Sequence, residues 1–180
     1  MASAITTFQS VQVFSTIAAA VNFGGSILQS PLIMPMLMLP DVPTVYAGKQ
    51  TAYLLHNSEY FFPPLNLACT LSNLILTGIA YYYSPNSPVA PRLAFATVLN
   101  FATTAYALGI MVPMNRRMAV IATELEKSAQ RGEEKGASTK ANETELRRLQ
   151  SRWRKLNYGR ATIMIGSALA GMSALLCNRA

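Results

Sequence analysis

The chain has 180 residues, of which 51% are hydrophobic and 13% charged, and its mean hydropathy is +0.25. The apolar residues occur in long blocks, which excludes an ordinary soluble domain. The formal net charge of +7 does not indicate nucleic-acid binding, because residues 114–157 hold 11 of the 15 Lys and Arg and 6 of the 8 Asp and Glu. Basic loops of this kind mark the cytoplasmic face of a membrane protein. We therefore predict a single transmembrane domain over residues 1–180, folded as an all-α, integral membrane four-helix bundle.

The first predicted span covers about residues 5–30. Ala20 and Gly24 have the small-x-x-x-small spacing that lets membrane helices approach closely. Asn22 lies between them and is interpreted as a hydrogen-bond donor to another helix, with a direct ligand role as the alternative. This span is therefore expected to pack tightly against its neighbours.

An apolar run with four prolines follows, Pro31, Pro35, Pro40 and Pro43. Because proline removes a helical hydrogen bond, we predict that this run is no regular helix and covers the bundle as a flap at the membrane interface. Its Met34, Met36 and Met38 alternate along the chain, and alternating thioethers can bind Cu(I). The simpler interpretation, which we adopt, is an apolar lid with flexible side chains and no metal.

The second segment is predicted as a long helix over about residues 46–83, with its span at 60–83. The aromatic triplets at 60–62 and 81–83 are 21 residues apart, about 31 Å of helix rise, which matches two interfacial aromatic belts. Near the first belt, His56, Glu59 and Pro63 fall on one helix face, with Tyr60 adjacent. The only His of the chain thus lies beside carbonyl groups that the prolines leave without helical donors.

The third span is predicted at about 91–114, and Pro113 is expected to kink its end. After a break at 132–138, Asn142 to Glu145 has the spacing of a capping box. The apolar positions that follow keep a three-four spacing suited to packing against the end of the third helix. Residues 115–156 are therefore predicted to form a cytosolic antiparallel hairpin, followed by the fourth span at 157–177. Cys69 and Cys177 lie at different predicted depths, so no disulfide is expected.

The positive-inside rule places this hairpin and the loop between spans one and two in the cytosol, with both termini in the lumen and the endoplasmic reticulum as the predicted membrane. This topology brings polar residues of three helices to one membrane depth, where ionisable groups are costly unless they are paired or face a cavity. These residues are His56, Glu59, Asn115, Trp153, Asn157 and Arg160. As alternatives, the basic residues are topology anchors, the aromatic ones interface residues, and Glu59 and Arg160 a structural ion pair.

A motif at the entrance to the fourth span carries a family resemblance. Trp153, Asn157 and Arg160 lie at i, i+4 and i+7 on one helix face, and Asn115 belongs to the preceding Pro-Met-Asn-Arg-Arg-Met run. This pattern resembles a family of small four-span membrane proteins, a domain of unknown function that includes fungal anthrone oxygenases. The resemblance covers most of the chain, although the specific motif is confined to segments three and four. Many members carry a His-containing patch before a proline in helix two, and residues 56–63 form such a patch here.

The resemblance implies an anthrone-oxygenase-like monooxygenase of aromatic polyketide metabolism that needs no cofactor and no metal. A base, His56 or Glu59, would remove the acidic methylene proton of an anthrone, and the carbanion would react with O2 directly. Donors from Asn115, Asn157 or Arg160 would stabilise the developing oxyanion. The implied substrate contacts are Tyr53, Tyr60, Trp153 and Met34.

Two other functions stay open at this point. The same base and donors would also catalyse isomerisation or cyclisation of a polyketide-type substrate without O2. A non-enzymatic bundle would instead scaffold pathway enzymes through its hairpin. The expected partners are an apolar aromatic small molecule, O2 and the lipid bilayer, with no nucleic acid, and a homo-oligomer is an open alternative.

Overall fold

The computed structural model describes residues 2–132 and 136–177, with side chains from residue 7 onward. The described residues form α-helices and two short π-helical stretches, without a strand. The α-helices are α1 (Ala2–Leu28), α2 (Met34–Leu37), α3 (Thr44–Tyr83), α4 (Val89–Tyr106), α5 (Val112–Gln130) and α6 (Ala137–Cys177), and the π-helical stretches are Gln29–Ile33 and Ala107–Met111. This confirms the all-α prediction.

Among the described residues, four helical runs are long and apolar enough to cross a membrane: Thr7–Leu37, Thr44–Tyr83, Val89–Gln130 and Ala137–Cys177. Each contains the stretch of about 20 predominantly apolar residues that spans a hydrocarbon core. The described chain is therefore consistent with an integral membrane protein of four spans.

The prolines change the helices less than predicted. The helical backbone of the first run continues through Pro31 and Pro35, so the start of the predicted flap is helical. Pro31 lies in the π-helical stretch, and Pro35 occupies the first turn of α2, which follows that stretch directly. Pro63 and Pro64 lie inside α3. Near Pro113, the π-helical stretch Ala107–Met111 precedes the resumed α-helix.

The predicted capping box is wrong. The last helix begins at Ala137, and Asn142 lies within it. The Asn142 side chain donates a hydrogen bond to Glu124 Oε2 at 2.9 Å instead of capping its own helix. A contact with α5 therefore overrides the local capping signal. Part of the predicted break, residues 133–135, lies outside the described residues.

The described chain divides into two compact units. The first comprises residues 2–25, 61–105 and 160–177. The second comprises residues 26–60, 106–132 and 136–159. Each unit takes segments from helices in every part of the chain, so each is held together by contacts between residues that are distant in sequence.

In the first unit, polar side chains join helices inside an apolar bundle. Ser15 Oγ donates to Asn73 Oδ1 at 2.9 Å, linking α1 to α3. Asn66 Nδ2 donates to the Asn100 carbonyl at 3.1 Å, linking α3 to α4. Ser167 Oγ lies 2.8 Å from Asn100 Oδ1, linking α6 to α4. Such bonds hold transmembrane helices together where apolar contacts with lipid and protein are equivalent.

The core of the second unit is rich in methionine and surrounds the single Trp. Its buried members are Met34, Leu55, Met111, Met114, Met118, Ile121, Leu125, Leu146, Leu149 and Trp153. In this unit α5 and α6 run antiparallel: Asn115 contacts Trp153, whereas Glu124, further along α5, contacts Asn142, which precedes Trp153 on α6. The placement of these helices in the cytosol stays a prediction.

One arginine of the second unit holds the loop after α2. Arg147 Nη1 donates to the Leu37 carbonyl at 2.8 Å, and Arg147 Nη2 donates to the Val42 carbonyl at 2.9 Å. A single guanidinium group therefore joins the two sides of the loop to α6. Charge-assisted bonds of this kind are stronger than bonds between neutral groups.

Candidate functional site

The centre of the candidate site is the hydrogen bond between Trp153 and Asn115. Trp153 is buried on α6, and its Nε1 donates to Asn115 Oδ1 on α5 at 3.0 Å. Because an indole nitrogen can only donate, the bond determines the orientation of the Asn115 amide. The Asn115 NH2 group is left as the donor available to a ligand. Two residues of the sequence motif thus form one oriented pair.

Asn157 lies one turn after Trp153 and is fully buried. Its Nδ2 donates to the Ser26 carbonyl at 2.7 Å and to Ser30 Oγ at 2.8 Å. Both amide hydrogens are therefore engaged, and the group that remains for a ligand is Oδ1, a hydrogen-bond acceptor. This differs from the oxyanion-donor role that the motif implied for Asn157. Ser26 and Ser30 lie on either side of the start of the π-helical stretch Gln29–Ile33. Short π-helices often occur at functional sites.

The Met-rich segment does not present its three sulfurs together. Met34 is fully buried in the core around Trp153, and Met38 packs against the same core, whereas Met36 is 58% exposed. Because residues 34–37 are helical, side chains at i and i+2 point to opposite faces. The alternation that suggested a Cu(I) site therefore does not produce a common thioether cluster of Met34, Met36 and Met38. Among the described residues, no group of three or more His, Cys, Asp or Glu has metal-binding geometry.

The candidate base residues lie on the outer face of α3. His56 and Glu59 are exposed, and Tyr53 and Tyr60 are each 72% exposed. The His56 ring meets the Tyr60 ring edge-on, with the centroids 5.0 Å apart. On the same part of α3, Leu55 points inward and belongs to the core around Trp153. The structure therefore does not bring the candidate bases into the interior that holds Asn115, Trp153 and Met34.

Arg160 belongs to the first unit and is half-buried. Its guanidinium carbon lies 5.8 Å from the centroid of the Phe62 ring, within cation–π range. The Phe62 ring in turn packs against Gly25, where an added Cβ would lie 2.8 Å from Phe62 Cε1. A glycine on α1 thus makes room for the aromatic ring that supports the arginine. The close contact is at Gly25, whereas the Ala20–Gly24 pattern predicted Gly24, where an added Cβ would meet no atom of another described segment within 4 Å.

The sequence analysis did not single out the buried glutamines Gln12, Gln29 and Gln150 or several buried asparagines of the spans. Gln12, Gln150 and Asn100 are buried, and each has a side-chain atom without a hydrogen-bond partner among the described residues. Asn66 and Asn73 are buried as well, and both make bonds between helices. For Gln12 and the asparagines, the available signal was the occurrence of amide side chains within helical apolar stretches, which marks interior or functional positions in membrane proteins. Gln150 lies in a charged stretch and had no such signal.

Comparisons with known proteins agree with the motif. A family model described as Anthrone oxygenase matches residues 52–170, well over half of the chain. The matched range includes the candidate bases on α3 and the motif of α5 and α6. No curated protein and no solved structure matches the chain. The family match confirms the resemblance that the motif suggested.

Proposed function

Because this chain belongs to the anthrone oxygenase family, we propose that it is a membrane enzyme that oxidises an anthrone-type aromatic substrate to the corresponding quinone. The family match over residues 52–170 is the observation that carries the proposal. The oriented Trp153–Asn115 pair supports it, because a fixed amide donor beside an aromatic ring suits a flat substrate that develops an oxyanion.

The proposed reaction needs no co-reactant other than O2. A base removes a proton from the methylene carbon, and the resulting anion, with its charge largely on the ring oxygen, forms a C–O bond with O2. The peroxide anion takes up a proton. Loss of the second methylene proton then breaks the O–O bond and releases water, leaving a C=O group. One oxygen atom of O2 enters the quinone and the other leaves as water.

Each candidate residue has a distinct proposed role. His56 or Glu59 is the proposed base and Tyr60 the proposed substrate contact. Because all three are exposed on the outer face of α3, these roles require that face to meet the same substrate as Asn115. Asn115 is the oriented amide donor for the oxyanion. Arg160 is the candidate cation, because its guanidinium group carries a permanent positive charge. The proposed environment is the endoplasmic reticulum membrane, from which an apolar substrate can enter directly.

The test is O2 consumption by the purified protein in detergent, with emodin anthrone as the probe and with or without a metal chelator. We expect one O2 per anthrone, quinone formation faster than the spontaneous reaction, and no effect of the chelator. His56→Ala or Glu59→Ala should lower the rate by about 10²-fold or more, the usual contribution of a general base. Asn57→Ala, an exposed neighbour on the same helix, is the matched control.

The other outcomes are equally informative. Quinone formation no faster than the background would contradict the oxygenase proposal. Conversion of a polyketide-type substrate in the absence of O2 would indicate the isomerase or cyclase alternative. Loss of O2 uptake with the chelator would show that a metal takes part. Full activity of both His56→Ala and Glu59→Ala would place the base elsewhere.

A further inference from the structure

The charged residues around the antiparallel pair of α5 and α6 are separated by sign along the sequence. Residues 147–160 contain six Lys and Arg and no Asp or Glu, and residues 112–123 contain two Arg and no acidic residue. Residues 124–146, between these two segments, contain four Lys and Arg and six Glu. The two basic segments lie side by side in the second unit, because Asn115 on α5 contacts Trp153 on α6. One end of the helix pair is therefore strongly basic.

Four cationic side chains at this end are exposed and take no part in holding the fold. They are Arg116, Arg152, Arg154 and Lys155. Neighbouring cations are engaged: Arg117 Nη2 lies 2.7 Å from Glu145 Oε2, and Arg147 donates to two carbonyl groups of the loop after α2. Among the described residues, neither ion pair, Lys49–Glu126 or Arg117–Glu145, includes one of the four. Their charges are available to a partner outside the chain.

The basic end adjoins the stretch of α6 that can cross a membrane. Residues 161–177 contain no charged residue and correspond to about 25 Å of helix rise. Lys155 and Arg152 precede residue 161 by about 9 and 14 Å along the helix. The headgroup layer on each side of a bilayer is about 5–8 Å thick, and at physiological salt its charge acts over about 8 Å more. Long side chains at these positions therefore lie within reach of lipid headgroups.

The cations are spread around the exposed side of α6 and do not converge on one point. Successive residues of an α-helix differ in direction by about 100°, so Arg152, Arg154 and Lys155 point in three directions. Trp153, between them, is buried and points into the core. Arg116 adds a fourth cation from α5. This arrangement suits several small anions lying side by side, as in a layer of headgroups.

We propose that Arg116, Arg152, Arg154 and Lys155 form a basic belt that binds the headgroups of anionic phospholipids in the adjacent leaflet. Guanidinium groups match phosphate oxygens with paired hydrogen bonds, and basic clusters next to a membrane helix attract anionic lipids. An excess of Lys and Arg would suffice to orient the chain, wherever in the loop it lay. The concentration of unpaired cations beside the membrane is the additional feature that the lipids explain. The inference does not depend on the proposed function.

The test measures which lipids the protein selects. The full-length protein is reconstituted into phosphatidylcholine vesicles with a trace of phosphatidylserine or phosphatidylcholine that carries a spin label on its acyl chain. Electron paramagnetic resonance separates lipids immobilised at the protein from mobile ones, and both leaflets contain the probe, so protein orientation does not matter. We expect phosphatidylserine to be preferred about threefold or more at low salt, because one basic residue near the surface contributes up to about fivefold.

Two double variants with the same net charge test the position of the belt. Arg152→Gln with Lys155→Gln should lower the preference for phosphatidylserine at least about twofold, because two of the four cations are lost. Lys127→Gln with Lys140→Gln is the matched control and should leave the preference unchanged. Both lysines are exposed, and Lys140 lies about 22 Å before Lys155 along α6. In about 1 M salt the screening length is about 3 Å, so the wild-type preference should disappear.

Equal immobilisation of the two lipids by the wild type would overturn the inference and would leave the four cations as topology anchors alone. An equal loss of preference in both double variants would overturn it as well, because the net charge of the chain, and not the belt, would then attract the lipid. A preference that persists in about 1 M salt would show that the selection is not electrostatic and would also contradict the belt.

Discussion

At the scale of single residues, two neighbouring glycines of α1 have different surroundings. An added Cβ at Gly25 would lie 2.8 and 2.9 Å from two atoms of the Phe62 ring, whereas one at Gly24 would meet no atom of another described segment within 4 Å. Phe62 is buried and supports the Arg160 guanidinium group. The space that Gly25 leaves free is therefore a structural requirement for the position of a candidate catalytic residue.

We predict opposite effects for alanine at these two positions. Gly25→Ala should lower the free energy of unfolding by about 1–3 kcal/mol, because an overpacked ring must shift. Gly24→Ala should be neutral or stabilising by up to about 1 kcal/mol, because alanine is the better helix former and meets no neighbour. Equilibrium unfolding of the purified variants in detergent measures both. Equal stability of the two variants would contradict the close contact of Gly25 with Phe62.

At the scale of elements, the loop after α2 depends on α6 for its position. Three backbone bonds are formed within it: Met38 N–H donates to the Pro35 carbonyl at 3.1 Å, Leu39 N–H to the Met36 carbonyl at 3.5 Å, and Val42 N–H to the Leu39 carbonyl at 3.2 Å. The two bonds from Arg147 add the long-range contacts. Pro40 and Pro43 have no backbone N–H to donate, so the loop depends on Arg147, which lies more than a hundred residues away in the sequence.

Arg147→Ala should therefore release the loop. We predict amide hydrogen exchange at least about tenfold faster over residues 38–42, because hydrogen bonds to charged groups contribute about 1.5–3 kcal/mol each. Arg148→Ala, at the adjacent exposed position of the same helix, is the control and should leave the exchange unchanged. Hydrogen exchange followed by mass spectrometry measures the effect. Equal exchange in Arg147→Ala and the wild type would show that the loop is held by other contacts.

At the scale of the whole molecule, the described residues contain four helical runs that are long and apolar enough to cross a membrane. If all four runs cross, both termini lie on one side of the membrane, and the charged stretch between the third and fourth runs lies on the other. The concentration of Lys and Arg in that stretch favours the cytosol for it. The chain contains a reporter for this topology, the glycosylation sequon Asn142-Glu-Thr144.

We predict that Asn142 stays unmodified when the protein is expressed in a cell with an endoplasmic reticulum. Glycosylation enzymes act in the lumen, and the proposed topology keeps the sequon in the cytosol. The measurement is the electrophoretic shift on treatment with a glycosidase. A flexible tag with a sequon, fused before Met1, is the positive control and should be glycosylated. A glycosylated Asn142 together with an unglycosylated tag would show that the topology is the reverse of the one proposed.

The sequence by itself determined the fold class, the four apolar runs and the family. These properties depend on local information: the length of an apolar block, the three-four spacing of its residues, and a short motif from Asn115 to Arg160. Helix boundaries near Asn142 and Pro31 were predicted less well. At these two places a contact with α5 and a π-helical stretch prevailed over the local signal.

Only the tertiary structure decided which atoms of the buried polar residues remain available. Asn157 was expected to be a donor, yet its amide hydrogens are engaged by Ser26 and Ser30 on α1 and the following stretch. The acceptor oxygen of Gln150 had no sequence signal at all. The physical reason is that an amide carries both donors and an acceptor. Its orientation therefore depends on which partner atoms approach it from helices about a hundred residues away, and no local pattern contains that information.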